Sequence, residues 1–122
     1  MFVRWQKYEQ FHRFNRLTTH RCILVESRRV DGKPHLHHVA FLSSYCTGAD
    51  GKISATRRAD FLDEVAQKLD KLGNRVTREQ RLQIEAEIAS RVTRPTEAEI
   101  EADRQAHARR MGKLKAALAA LR

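Results

Sequence analysis

The chain has 122 residues, 41% hydrophobic and 32% charged, with a formal net charge of +9. Such a length fits one domain with a modest core, two cysteines exclude a disulfide framework, and no apolar run approaches the roughly 18 residues of a membrane span. So large a cationic excess points to a polyanionic or acidic partner and says nothing about fold.

The excess is unevenly placed. Residues 1–60 hold 11 Lys/Arg against 5 Asp/Glu, and residues 61–122 hold 13 against 10. His12, His20, His35, His37 and His38 all fall in the first half. The basic face is therefore expected near the N-terminus, on a cytoplasmic protein without a leader.

Residues 2–8 alternate as a strand does, with Val3, Trp5 and Lys7 on one face. Residues 9–20 carry Arg, His and Phe without period and read as a basic loop or short helical turn. Across this segment Arg4, Trp5, Lys7, Tyr8, His12, Arg13, Phe14 and Arg16 interleave cations with aromatics. Cations neutralise phosphates and rings stack on exposed bases, whereas the plainer reading makes Trp5 and Phe14 core.

Two runs, 22–30 and 33–42, flank Asp31-Gly32. Asp-Gly suits a type I′ turn, which needs positive φ at both central residues. Counting from that turn pairs Val30 with Lys33, Arg28 with His35, Glu26 with His37, Leu24 with Val39 and Cys22 with Phe41. On the other face it pairs Ser27 with Leu36, Val25 with His38 and Ile23 with Ala40. The base of this ribbon is apolar on both faces and is expected to be buried on both. Its tip, with Arg28, Arg29, Lys33 and His35, projects into solvent. Residues 43–53 read as a connecting loop.

From Ser54 the period becomes helical, with Leu62, Val65, Ala66, Leu69 and Leu72 in a stripe that Gly73-Asn74 ends. Thr77-Arg-Glu-Gln80 and Thr96-Glu-Ala-Glu99 are capping-box patterns that open two further helices, separated at Arg94-Pro95. The last helix carries Ile100, Arg104, His107, Met111, Leu114, Leu118 and Leu121 at alternating spacings of four and three, a heptad seam. Its apolar members, Met111, Leu114, Leu118 and Leu121, serve either self-association, as a homodimer, or docking on the same chain. The expected class is α+β: a small antiparallel sheet of two or three strands followed by three helices. The regions are a basic ribbon over 1–53, a two-helix layer over 54–95 and an amphipathic helix over 96–122.

The segment Leu24-Val-Glu-Ser-Arg-Arg-Val-Asp-Gly-Lys33, with His38-Val-Ala-Phe-Leu42, resembles the N-terminal region of insertion-sequence DDE transposases. It is also similar to small uncharacterised bacterial proteins of mobile DNA. The resemblance covers about residues 22–42 and leaves no room for a ribonuclease-H-like catalytic domain. It implies a DNA-handling accessory module and transfers no catalytic residue.

His35-Leu36-His37 places two imidazoles on one strand face, as a metal ligand pair would be. It resembles the histidine-hydrophobe-histidine motif of single-strand nucleases of rolling-circle replication and transposition. Those enzymes add a nucleophilic tyrosine on a helix, and only Tyr8 and Tyr45 exist here. A solvated cationic tip is the plainer reading. Cys22 reads as a small buried hydrophobe and Cys46 as a loop thiol. Arg57 and Arg58 fall in the first turn of a helix, where cations oppose the macrodipole and hint at an external anion.

The function expected is therefore non-enzymatic binding of nucleic acid, DNA ahead of RNA, without cofactor, metal or membrane. Arg4, Lys7, Arg13, Arg16, Arg28, Arg29, Lys33, His35, Arg57 and Arg58 would be the contacts. The rivals are a module that docks its basic face on an acidic protein surface and a metal-dependent single-strand nuclease.

Overall fold

A computed structural model describes residues 1–12 and 15–121. Three antiparallel strands in the order β1 (Phe2–His12), β2 (Asn15–Val30) and β3 (Lys33–Thr47) precede α1 (Ala55–Leu72), α2 (Arg78–Ala89) and α3 (Glu97–Ala120). This is the α+β layout expected, with β2 as the central strand.

The strands are longer than the sequence pattern implied. Residues 9–12 and 15–20 are not a loop or helical turn but continue the sheet, paired from Glu9–Thr18 to His12–Asn15. Likewise Ser43–Thr47 extends β3 instead of beginning a loop. Phe14 lies outside the described residues.

The β2–β3 turn falls at Asp31-Gly32, with φ of 54° and 77°, as a type I′ turn demands. From Val30–Lys33 to Val25–His38 the pairs are those counted from the turn. Beyond them the register shifts twice: Leu24 faces Ala40 instead of Val39, Ile23 faces Phe41, and Cys22 faces Ser43 instead of Phe41. Each shift is a bulge that adds one residue to β3, first Val39 and then Leu42. The bulges turn Leu42 into the core and swing Phe41 to the opposite face.

The helices cover one face. Val3 and Trp5 from β1, Cys22 and Leu24 from β2, and Val39, Leu42 and Tyr45 from β3 meet Phe61, Val65 and Leu69 of α1 and Ile84 and Ile88 of α2. Phe61 is fully buried, stacked on Trp5 at 5.9 Å and edge-on to Tyr45 at 5.4 Å. Trp5 is thus a core residue.

Caps fix the helix starts. Ser54 accepts from the Arg57 amide at 3.2 Å, and Thr77 and Gln80 exchange both bonds of a capping box. Thr96 accepts from the Glu99 amide at 3.2 Å, while the Glu99 carboxylate turns to Arg58.

Candidate nucleic-acid interface

Strand alternation sorts the charges of the sheet. The side away from the helices carries Phe2, Arg4, Gln6, Tyr8 and Gln10 from β1. From β2 it carries Leu17, Thr19, Arg21, Ile23, Val25, Ser27 and Arg29, and from β3 Pro34, Leu36, His38, Phe41, Ser44 and Cys46. None of these residues is acidic. Both strand carboxylates, Glu9 and Glu26, lie on the helix side.

On the open side the ribbon base is buried at Ile23 and Val25 as expected, while Phe2 of β1 and Phe41, which the bulges bring to this side, remain exposed because no helix packs there.

The expected contact residues fall into three groups. Arg4, Arg29 and Lys33 are exposed, and among the described residues none has a carboxylate at ion-pair distance. Lys7 and Arg16 both approach Glu9, at 3.9 and 2.5 Å, and Arg28 pairs with Glu26. The Arg16 pair holds the Glu9 carboxyl below its ordinary pKa. Arg13 lies outside the described residues. His35 is exposed opposite Arg28 near the ribbon tip.

Arg57 and Arg58 have partners inside the chain. Arg57 donates to the Ser44 carbonyl at 2.6 Å and to Glu64 at 3.1 Å. Arg58 donates to the Thr93 carbonyl at 3.2 Å, the Thr93 hydroxyl at 2.6 Å and Glu99 at 2.8 Å. Bonds from Ser43 and then Arg57 hold the Glu64 carboxyl below its usual pKa. The anion at the α1 N-terminus is Asp103 from α3, which accepts from the Thr56 amide at 3.2 Å and hydroxyl at 2.5 Å. A helix with two arginines and no acid in its first turn thus receives Asp103 and Glu99 from α3, beside its own Glu64.

Sequence reading missed Arg21. Its guanidinium lies 5.1 Å from the Phe41 ring centre and 6.0 Å from that of Tyr8, and it donates to Gln6 Oε1 at 3.5 Å. The pairing of Gln6 with Arg21 places Arg21 on the same face as Arg4, and Phe41 joins them only through the bulges.

His35 and His37 share a face with Arg28 and Glu26, as counted. Among the described residues no group of three His, Cys, Asp or Glu gathers as a metal site would. Tyr8 and Tyr45 both lie on strands. Cys22 is buried, which pushes its thiol up to about 12, whereas Cys46 is exposed on β3.

The N-terminal half of α3 packs on α1 through Asp103 and its neighbours. Farther along, Met111, Leu114, Leu118 and Leu121 are all exposed. No helix of the described residues is long and apolar enough to cross a membrane.

No family model, curated protein or solved structure matches the chain.

Proposed function

We propose that the protein is a non-catalytic nucleic-acid-binding accessory protein whose sheet neutralises phosphates. The observation that carries this reading is the sorting of charge across the sheet. Arg4, Arg21 and Arg29 share a face with no carboxylate, and Lys33 stands on the other face at the ribbon tip, opposite Val30. Cations left without a carboxylate partner are available to a polyanion, and the phosphate backbone is the commonest one. The link to mobile DNA rests on the hairpin sequence alone.

The α3 seam supports a second element of the reading, pairing with another copy. Its four apolar residues recur at heptad spacing and stay in water in the single chain.

The experiment is a salt titration of binding by an Arg29→Gln/Lys33→Gln variant. Loss of two free cations should flatten the slope of log affinity against log salt by about 1.8 on duplex DNA or about 1.4 on a single strand. Arg28→Gln should flatten it less, because Glu26 already neutralises Arg28. An unchanged slope in the double variant removes the ribbon tip from the interface.

A further inference from the structure

We propose that the open face of the sheet is a platform for single-stranded nucleic acid, with bases stacked on Phe2, Tyr8 and Phe41 and phosphates held by Arg4 and Arg21. This rests on the nucleic-acid reading above and adds the strand type and the surface.

The three rings are 39%, 46% and 36% exposed, on a face that no helix covers. They are spread out instead of clustered. Phe2 and Tyr8 stand six residues apart on β1, about 20 Å at the rise of an extended strand, and Phe41 is on the far edge strand. Between them Ile23 and Val25 are only 4% and 2% exposed, so the rings and arginines around them form the accessible surface. Arg21 sits between Tyr8 and Phe41, and Arg4 shares a row with Ile23 and Phe41. Cations therefore alternate with rings, the arrangement that lets a strand keep its phosphates paired while its bases stack.

Charge selects the occupant. A second copy seated on this face would oppose Arg4, Arg21 and Arg29 with the same arginines and no carboxylate, so like charges would meet. A duplex offers phosphates but hides the π-faces of its bases within the stack, leaving Phe2 and Phe41 against a polar backbone. A single strand presents both groups.

The test measures fluorescence anisotropy of labelled oligothymidylate, oligouridylate and a DNA duplex of equal length against the full chain. Wild type should bind oligothymidylate and oligouridylate more tightly than the duplex. Phe2→Leu/Phe41→Leu keeps both positions apolar while removing the rings. It should weaken oligothymidylate binding roughly 5- to 150-fold per stacked base lost, with an unchanged salt slope. Arg4→Gln/Arg21→Gln should instead flatten that slope by about 1.4. Far-ultraviolet circular dichroism and the emission of Trp5, which lies on the helix side, should match wild type in each variant and show that the fold is kept.

Oligothymidylate affinity unchanged in the folded ring variant overturns the platform, as does a duplex bound equally well. If salt-dependent binding persists in either case, the nucleic-acid reading survives. If no nucleic acid binds, both fall together. Binding only to an acidic protein, such as a polyglutamate-rich chain, overturns both in favour of a protein partner.

Discussion

Replacing Arg58 with Met separates a structural arginine from a binding one. The aliphatic stem of Arg58 is covered, with the side chain 19% exposed, and Met preserves that packing. What is lost is the fork on Thr93 and the pair with Glu99, which together fasten α1 to the segment leading into α3. A hydrogen bond from a charged group contributes about 1.5–3 kcal/mol when well shielded, and these lie at the surface, so the two bonds to Thr93 together contribute nearer the low end. Glu99 is solvated, and its pair adds nothing to that figure. Arg58 Nε is buried without a partner, and removing it relieves part of the cost. A net loss of about 1–2 kcal/mol follows, roughly 4–10 °C in Tm for a domain of this size. The assay pairs a thermal melt with the salt titration of DNA binding. The melt should shift and the salt slope should not. A variant with wild-type Tm and a flatter slope would refute the reasoning and return Arg58 to the interface.

Cys46 should react with a maleimide in the native state and Cys22 only after unfolding, since Cys22 is buried with its pKa pushed up to about 12; modification of both at equal rates would contradict the packing. Burial, followed by Arg91 and Lys7, lowers the pKa of His20, whose ring stacks on Tyr45 at 4.7 Å and bonds Thr47 at 3.0 Å. A histidine whose folded pKa lies below its unfolded value of about 6.5 stabilises above that value and loses its contribution as pH falls, so His20→Gln should flatten the decline in urea midpoint below neutrality. The lowered pKa of Asp103, caused first by its bond from the Thr56 hydroxyl, acts in the same sense at lower pH. Its contribution is present above about 3.9 and lost as pH falls through the lowered value, and Asp103→Asn should flatten the acid limb of the same curve. Self-association through α3 should strengthen with salt, because Arg109, Arg110, Lys113 and Lys115 flank the seam and no acidic residue follows Asp103; sedimentation that shows weaker association at high salt, or none with Leu114→Glu/Leu118→Glu and wild type alike, would contradict the seam.

The β2–β3 turn was legible because Asp31-Gly32 is a local signal: positive φ at both positions restricts the residues that fit. The helix starts were legible for the same reason, through Ser54, Thr77 and Thr96. Residues 9–20 were not, because this ribbon runs past the helices and is solvated on both faces over much of its length. Glu9, Gln10, Phe11, Arg16 and Leu17 are all exposed, so no period of two appears. The bulges at Val39 and Leu42 carry neither Gly nor Pro, and only the helices packing beneath show which residue turns inward. The expected contact list mixed free and engaged cations for a related reason. Arg58 finds its carboxylate through a tertiary contact 41 residues away and Arg57 finds Glu64 two turns along its own helix, while Arg4, Arg29 and Lys33 find none among the described residues. Arg21 and Phe41 meet across a bulge that the pattern does not mark.

The central claim, that unpaired sheet cations receive phosphates, is tested most directly by wild-type binding to oligothymidylate across a range of salt concentrations. Engagement of Arg4, Arg21, Arg29 and Lys33 predicts a straight line of log affinity against log salt with a slope near −2.8, about 0.7 per phosphate neutralised. A flat line, or no binding at low salt, would contradict it.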